Sequence, residues 1–177
     1  MRALVLLSLI ATPALAAGDI TGDPAMFLTL DAGIICKEGD RRREAAPDTR
    51  SGFIEVIDGP STLGQSARRI PAVPGLGFGV VAQMHETAEA QGVTLVVTHP
   101  PMGADGTVRE SWQSDFLPGE AIVNFFSFDL AEERVTGPWT MEALHQGRLL
   151  YSAQFEVVDP AAMPNFVSPC EEPPRVS

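Results

Sequence analysis

The chain has 177 residues, 45% of them hydrophobic and 20% charged, with a formal net charge of −11 and a mean hydropathy of +0.08. That is enough apolar material for one packed domain and too much for a disordered chain, and an acidic body of this kind is repelled by nucleic acid and by anionic lipid. Sixteen Gly and fifteen Pro, about one residue in six, favour a turn-rich β protein over a helical bundle.

Residues 1–16 read as an export signal. Arg2 is the positive start, Ala3 to Ala11 form an apolar stretch too short to span a bilayer, and Ala14-Leu15-Ala16 is a small-x-small cleavage site. Cleavage after Ala16 leaves a periplasmic or secreted body that is more acidic still, because it loses Arg2 and no carboxylate. Nothing later in the chain is long and apolar enough to hold it in a membrane. The expected domain spans 17–158, followed by a Pro-rich tail over 159–177.

The body alternates apolar and polar residues at period two, with turn residues between the runs. In chain order, strands are expected near Phe27–Ile35, Gly52–Ile57, Gln65–Pro71, Phe78–Met84, Thr94–Thr98, Glu110–Phe116, Ile122–Phe128, Trp139–Ala143 and Leu149–Val157. Lys37–Arg50 is polar and charged and reads as a surface loop; its basic run Arg41-Arg42-Arg43 is followed at once by Glu44. Thr87–Gln91 and Leu130–Arg134 each have room for one helical turn. The last two strands form the sharpest element. His145-Gln146-Gly147-Arg148 joins them, and Gly147 can take the positive φ of a tight hairpin. Trp139 and Met141 then face the same core as Tyr151 and Phe155. The expected fold class is all-β, an immunoglobulin-like antiparallel β-sandwich of about 7–9 strands. A small closed barrel is the alternative.

Cys36 and Cys170 are the two cysteines. In an exported chain, with loop-like sequence beside both, a disulfide tying the tail to the first long strand is the best reading. Two free thiols or a metal pair are the alternatives. No Cys-x-x-C supports redox chemistry.

Three features bear on function. Gly75-Leu76-Gly77-Phe78-Gly79-Val80 lacks the helix and the Lys-Ser/Thr of a phosphate loop. Its alternation places Gly75, Gly77 and Gly79 on one bare face, open either to the domain's own backbone or to a docking partner. His99-Pro100-Pro101-Met102-Gly103 closes a strong strand with a rigid loop, in which one proline is a candidate for cis; His99, Pro100 and Pro101 form the second candidate partner surface. Met84, His85, His99 and Met102 are the residue types that copper prefers, though no cluster strengthens the match. Trp112 and Trp139 sit in alternating runs and read as core anchors. No nucleophile elbow, His-Glu-x-x-His or Ser-x-x-Lys is present.

The blocks Gly75–Val80, Val93–Gly103 and Gly137–Ala143, taken in order, resemble a bacterial family known as domain of unknown function 3859, over roughly Ile34 to Val158. The resemblance implies an exported, mostly β, sandwich-like domain. It brings no activity, cofactor or catalytic residue. The sequence therefore favours a non-catalytic binding or accessory module with a protein partner, no cofactor, no nucleic acid and no membrane after cleavage. A copper-handling protein is the first alternative and a hydrolase with an unrecognised carboxylate site the second.

Overall fold

The computed structural model describes residues 20–37, 40–58 and 61–170. The proposed export signal and its cleavage site lie outside these residues, as do 171–177. Twelve strands are present among them: β1 (Thr21–Gly22), β2 (Phe27–Lys37), β3 (Asp40–Ala45), β4 (Phe53–Asp58), β5 (Ser61–Ser66), β6 (Arg69–Pro71), β7 (Gly77–Met84), β8 (Ala90–Met102), β9 (Thr107–Phe116), β10 (Ala121–Ser127), β11 (Gly137–His145) and β12 (Arg148–Val158). Two one-turn 3-10 helices, Ala131–Glu133 and Pro160–Ala162, complete the elements.

One sheet runs β1-β12-β11-β8-β9, with β6 lying parallel to β12; the second runs β10-β7-β2-β5; β3 and β4 pair only with each other. All other pairings are antiparallel. Order and connections are those of an immunoglobulin-like sandwich. β8-β11-β12 stand as strands C, F and G, while β2-β7-β10 stand as A, B and E. The strand that follows C pairs with C itself, so among the described residues no strand D covers β10, and its outer edge pairs with no strand. The outer edge of β9 closes the other sheet on the same side of the molecule.

The core lies between the sheets. Phe78 is fully buried, 5.1–6.2 Å from the rings of Phe126, Phe128, Trp139 and Phe155. Trp139, Met141, Tyr151 and Phe155 face this core together, as their alternation requires. The hairpin between β11 and β12 turns on Gln146 and Gly147 at φ of 51° and 79°, the two positive dihedrals of a type I′ turn. Cys36 and Cys170 form the disulfide. It fits because residue 64 is glycine: a Cβ there would stand 2.5 Å from Cys36 Sγ and 3.1 Å from Pro169. The bridge pins the tail, whose Phe166 packs on the core.

Several expectations are corrected. The strand count exceeds 7–9 because short β1 and β6 add to it, and because the segment read as a surface loop contains β3. Gln65–Pro71 is not one strand; it divides between β5 and β6, in different sheets. β8 continues through Pro100 and Pro101, and no peptide bond among the described residues is cis. The prolines fall where the β8–β9 register shifts, between Thr98 and Met102, and beyond the last β11 partner, Thr98, so their missing N–H groups break no regular ladder. Thr87–Gln91 holds no helix, since Thr87 ends a turn and Ala90–Gln91 begin β8, whereas Leu130–Arg134 does hold the turn Ala131–Glu133.

Candidate functional site

The glycine strip does not offer a docking face. Gly77 and Gly79 are buried in β7, between β2 and β10. A Cβ on Gly79 would lie 2.0 Å from the Asn124 carbonyl, and one on Gly77 would lie 3.1 Å from that of Ile35. The chain's own backbones fill the strip. Gly75 sits in the preceding turn with open space around it.

The four metal candidates do not form one site. Met84 and Met102 are fully buried in the apolar core. His85 precedes β8, whereas His99 and Met102 stand at its far end. The nine residue steps from Ala90 to His99 make about 30 Å of extended chain. Among the described residues, no three His, Cys, Asp or Glu side chains gather closely enough to hold a metal.

His99 is likewise not a surface residue. Its side chain is fully buried, with the ring 4.8 Å from that of Trp139. Its Nδ1 lies 2.9 Å from the Pro100 carbonyl, and its Nε2 lies 3.5 Å from Glu110 Oε1 without forming a hydrogen bond. Pro100 is half-buried, which leaves Pro101 as the exposed member of that trio.

What the topology does create is a groove of about 690 Å³ on the open side of the sandwich. One wall is the edge of β9, with Glu110, Trp112 and Asp115. The other is β10 from Val123 to Ser127 and the turn beyond it, with Asp129 and Glu133. The β3–β4 hairpin closes the third side with Arg43, Phe53 and Val56.

The hairpin is tied down at its turn. Ser111 N–H donates to the Asp48 carbonyl at 3.1 Å, and Arg50 N–H donates to Glu110 Oε2 at 2.9 Å. The Arg50 guanidinium bonds Asp105 and Glu132, fastening the turn to the β8–β9 loop and to the 3-10 turn Ala131–Glu133. The Glu132 and Asp105 bonds raise the Arg50 pKa; the Thr107 hydroxyl first, and Arg50 with it, lower that of Asp105.

Asn124, 2% exposed, belongs to the groove wall. Its Nδ2 donates to the Tyr151 hydroxyl at 2.8 Å, while its Oδ1 accepts no hydrogen bond among the described residues. Burial holds the Tyr151 phenol well above its ordinary pKa. Burial also pushes the Glu133 carboxyl up, against the downward pull of the Leu130 N–H that it accepts at 2.6 Å. The groove thus combines aromatic surface, carboxylates at both ends and an unpaired strand edge.

Sequence reasoning did not find this set. Trp112 was expected in the core; it packs against the core on one side but is half-buried and lines the groove. Glu110, Glu133, Phe53 and Asn124 come from four different elements and share no motif or spacing.

An immunoglobulin-like sandwich with one open, groove-bearing side is the class these features define. The chain belongs to the family described as domain of unknown function (DUF3859), which matches residues 25–157. Similar solved structures include an immunoglobulin-like protein from Pseudomonas aeruginosa, 20% identical, covering 81% of this chain and 99% of that one at a TM-score of 0.49. No curated protein matches the chain.

Proposed function

We propose that the protein is an exported binding module without catalysis of its own, and that it engages a protein partner through the groove between β9 and β10. The observation that carries this reading is the free edge of β10. Apart from the Ser127 carbonyl, which accepts the Asp129 N–H at 3.0 Å, its outer N–H and C=O groups have no backbone partner among the described residues, and an aromatic, polar-rimmed groove runs beside them. An unpaired edge is a template for another strand unless something covers it. The Cys36–Cys170 bridge supports an oxidising compartment, and the signal-like residues 1–16 support export.

A random-peptide phage selection on residues 17–177 tests the binding. The reading expects enrichment of a peptide family that loses affinity to the folded variants Trp112→Ala and Phe53→Ala. No enrichment, or binding indifferent to both variants, overturns it. Export is tested separately by fusing residues 1–20 to alkaline phosphatase in a Gram-negative host; an inactive cytoplasmic fusion overturns that part.

A further inference from the structure

We propose that the groove takes an extended, Lys- or Arg-bearing segment of a partner protein, added as a strand along the free edge of β10. This rests on the binding-module reading and names the chemistry of the partner.

The charges of the groove decide the sign. Six carboxylates line it against two guanidinium groups, Arg42 and Arg43. Arg42 is bonded to Glu44, and Arg43 lies 4.2 Å over the Phe53 ring. Asp129 is met by Lys37 at 3.7 Å. Three of the remaining acids are met by backbone donors instead. Asp115 accepts the Gly92 N–H at 2.7 Å, Glu133 accepts the Leu130 N–H at 2.6 Å, and Glu110 accepts that of Arg50. Backbone donors orient these carboxylates without neutralising them. Asp115 lies at the end of β9 that leads into β10, whereas Glu110 and Glu133 lie towards the other end of the groove. The seven residues of β10 between them span about 20 Å, the length of about six residues of added strand.

Trp112 supplies a face for the aliphatic stems and cationic heads of long basic side chains, and Phe53, one face of which Arg43 already covers, adds apolar edge beside it. Asn124 adds a buried, unused acceptor in the same wall. A second copy of this chain is a poorer occupant, because a body of net charge −11 repels its own kind at a rim already acidic.

The peptide family from the phage selection provides the test. Its strongest member is synthesised in three forms: as selected, with every Lys and Arg replaced by Gln, and N-methylated at alternate residues. Anisotropy is read at low and at physiological salt on the wild-type protein and on the double variant Asp115→Asn/Glu133→Gln. The expected selection is net positive, with affinity falling as salt rises. The Gln form and the N-methylated form should each bind at least tenfold more weakly. The double variant should lose about tenfold with its melting temperature held, as two partly exposed charge pairs imply. Neutral or acidic winners, or no loss in the double variant, overturn the cationic assignment while leaving a binding module. Indifference to N-methylation overturns strand addition. A concentration-dependent dimer that competes with the peptide assigns the edge to a second copy and overturns the proposal. No enrichment at all overturns the underlying reading instead.

Discussion

Breaking the Cys36–Cys170 bridge removes a cross-link between residues 134 apart, almost the whole described body. In the chain-entropy account a loop of that length restrains the unfolded state by about 5 kcal/mol. The folded side offsets part of this. Once cut, the segment after Val158 keeps its Phe166 contact and gains freedom elsewhere, so the net loss should fall at about 2–5 kcal/mol. With a urea slope of roughly 2 kcal/mol per molar, the midpoint should drop by about 1–2.5 M. The assay is urea unfolding followed by tryptophan fluorescence, on oxidised protein, reduced protein and Cys36→Ala/Cys170→Ser. Gly64→Ala, whose methyl group would stand 2.5 Å from Cys36 Sγ, should lower the midpoint in the oxidised protein and much less in the reduced one. Oxidised and reduced midpoints within about 0.2 M of each other would refute the reasoning, since the bridge would then restrain nothing that folding must organise.

Phe78→Ala empties the centre of the aromatic cluster and should cost about 3–5 kcal/mol in the same unfolding assay. Tyr151→Phe strands the buried Asn124 amide donor and should cost about 1–3 kcal/mol near neutral pH. Tyr151 also carries a pH effect with a definite sign. Its folded pKa is raised by burial, so its contribution is complete below the unfolded value of about 10 and is lost as pH rises beyond it. Because the chain has one tyrosine, the folded protein at about pH 11 should show no tyrosinate absorbance, which should appear only with unfolding. Gln146→Gly relieves a side chain held at φ 51° and should raise stability by about 0.5–1 kcal/mol, read as a higher melting temperature.

The sandwich was legible in the sequence wherever a strand buries one face. Leu149–Val157 and Trp139–Ala143 alternate because one side meets Phe78 and the other meets water, and their hairpin shows itself through Gly147. The pairing of Cys36 with Cys170 followed from compartment and number. β3 was illegible because Asp40-Arg41-Arg42-Arg43-Glu44-Ala45 pairs with β4 alone, outside both sheets, and so carries no apolar stripe. The glycines at 77 and 79 signalled close approach correctly, but period alone cannot distinguish the chain's own β10 from a foreign strand. His99 looked like a loop residue because two prolines follow it, whereas β8 carries it into the core beside Trp139. The groove left no local trace, since it arises from a topological fact: β9 pairs with β8, and no strand among the described residues pairs with the outer edge of β10.

Hydrogen exchange of residues 17–177, with and without the strongest selected peptide, tests the central claim most directly. Slowed exchange concentrated on amides of Ala121–Ser127, with smaller protection on Glu110–Asp115, is the predicted result. Unchanged exchange along β10, or protection confined to β5 or to the β8–β9 loop, would contradict it.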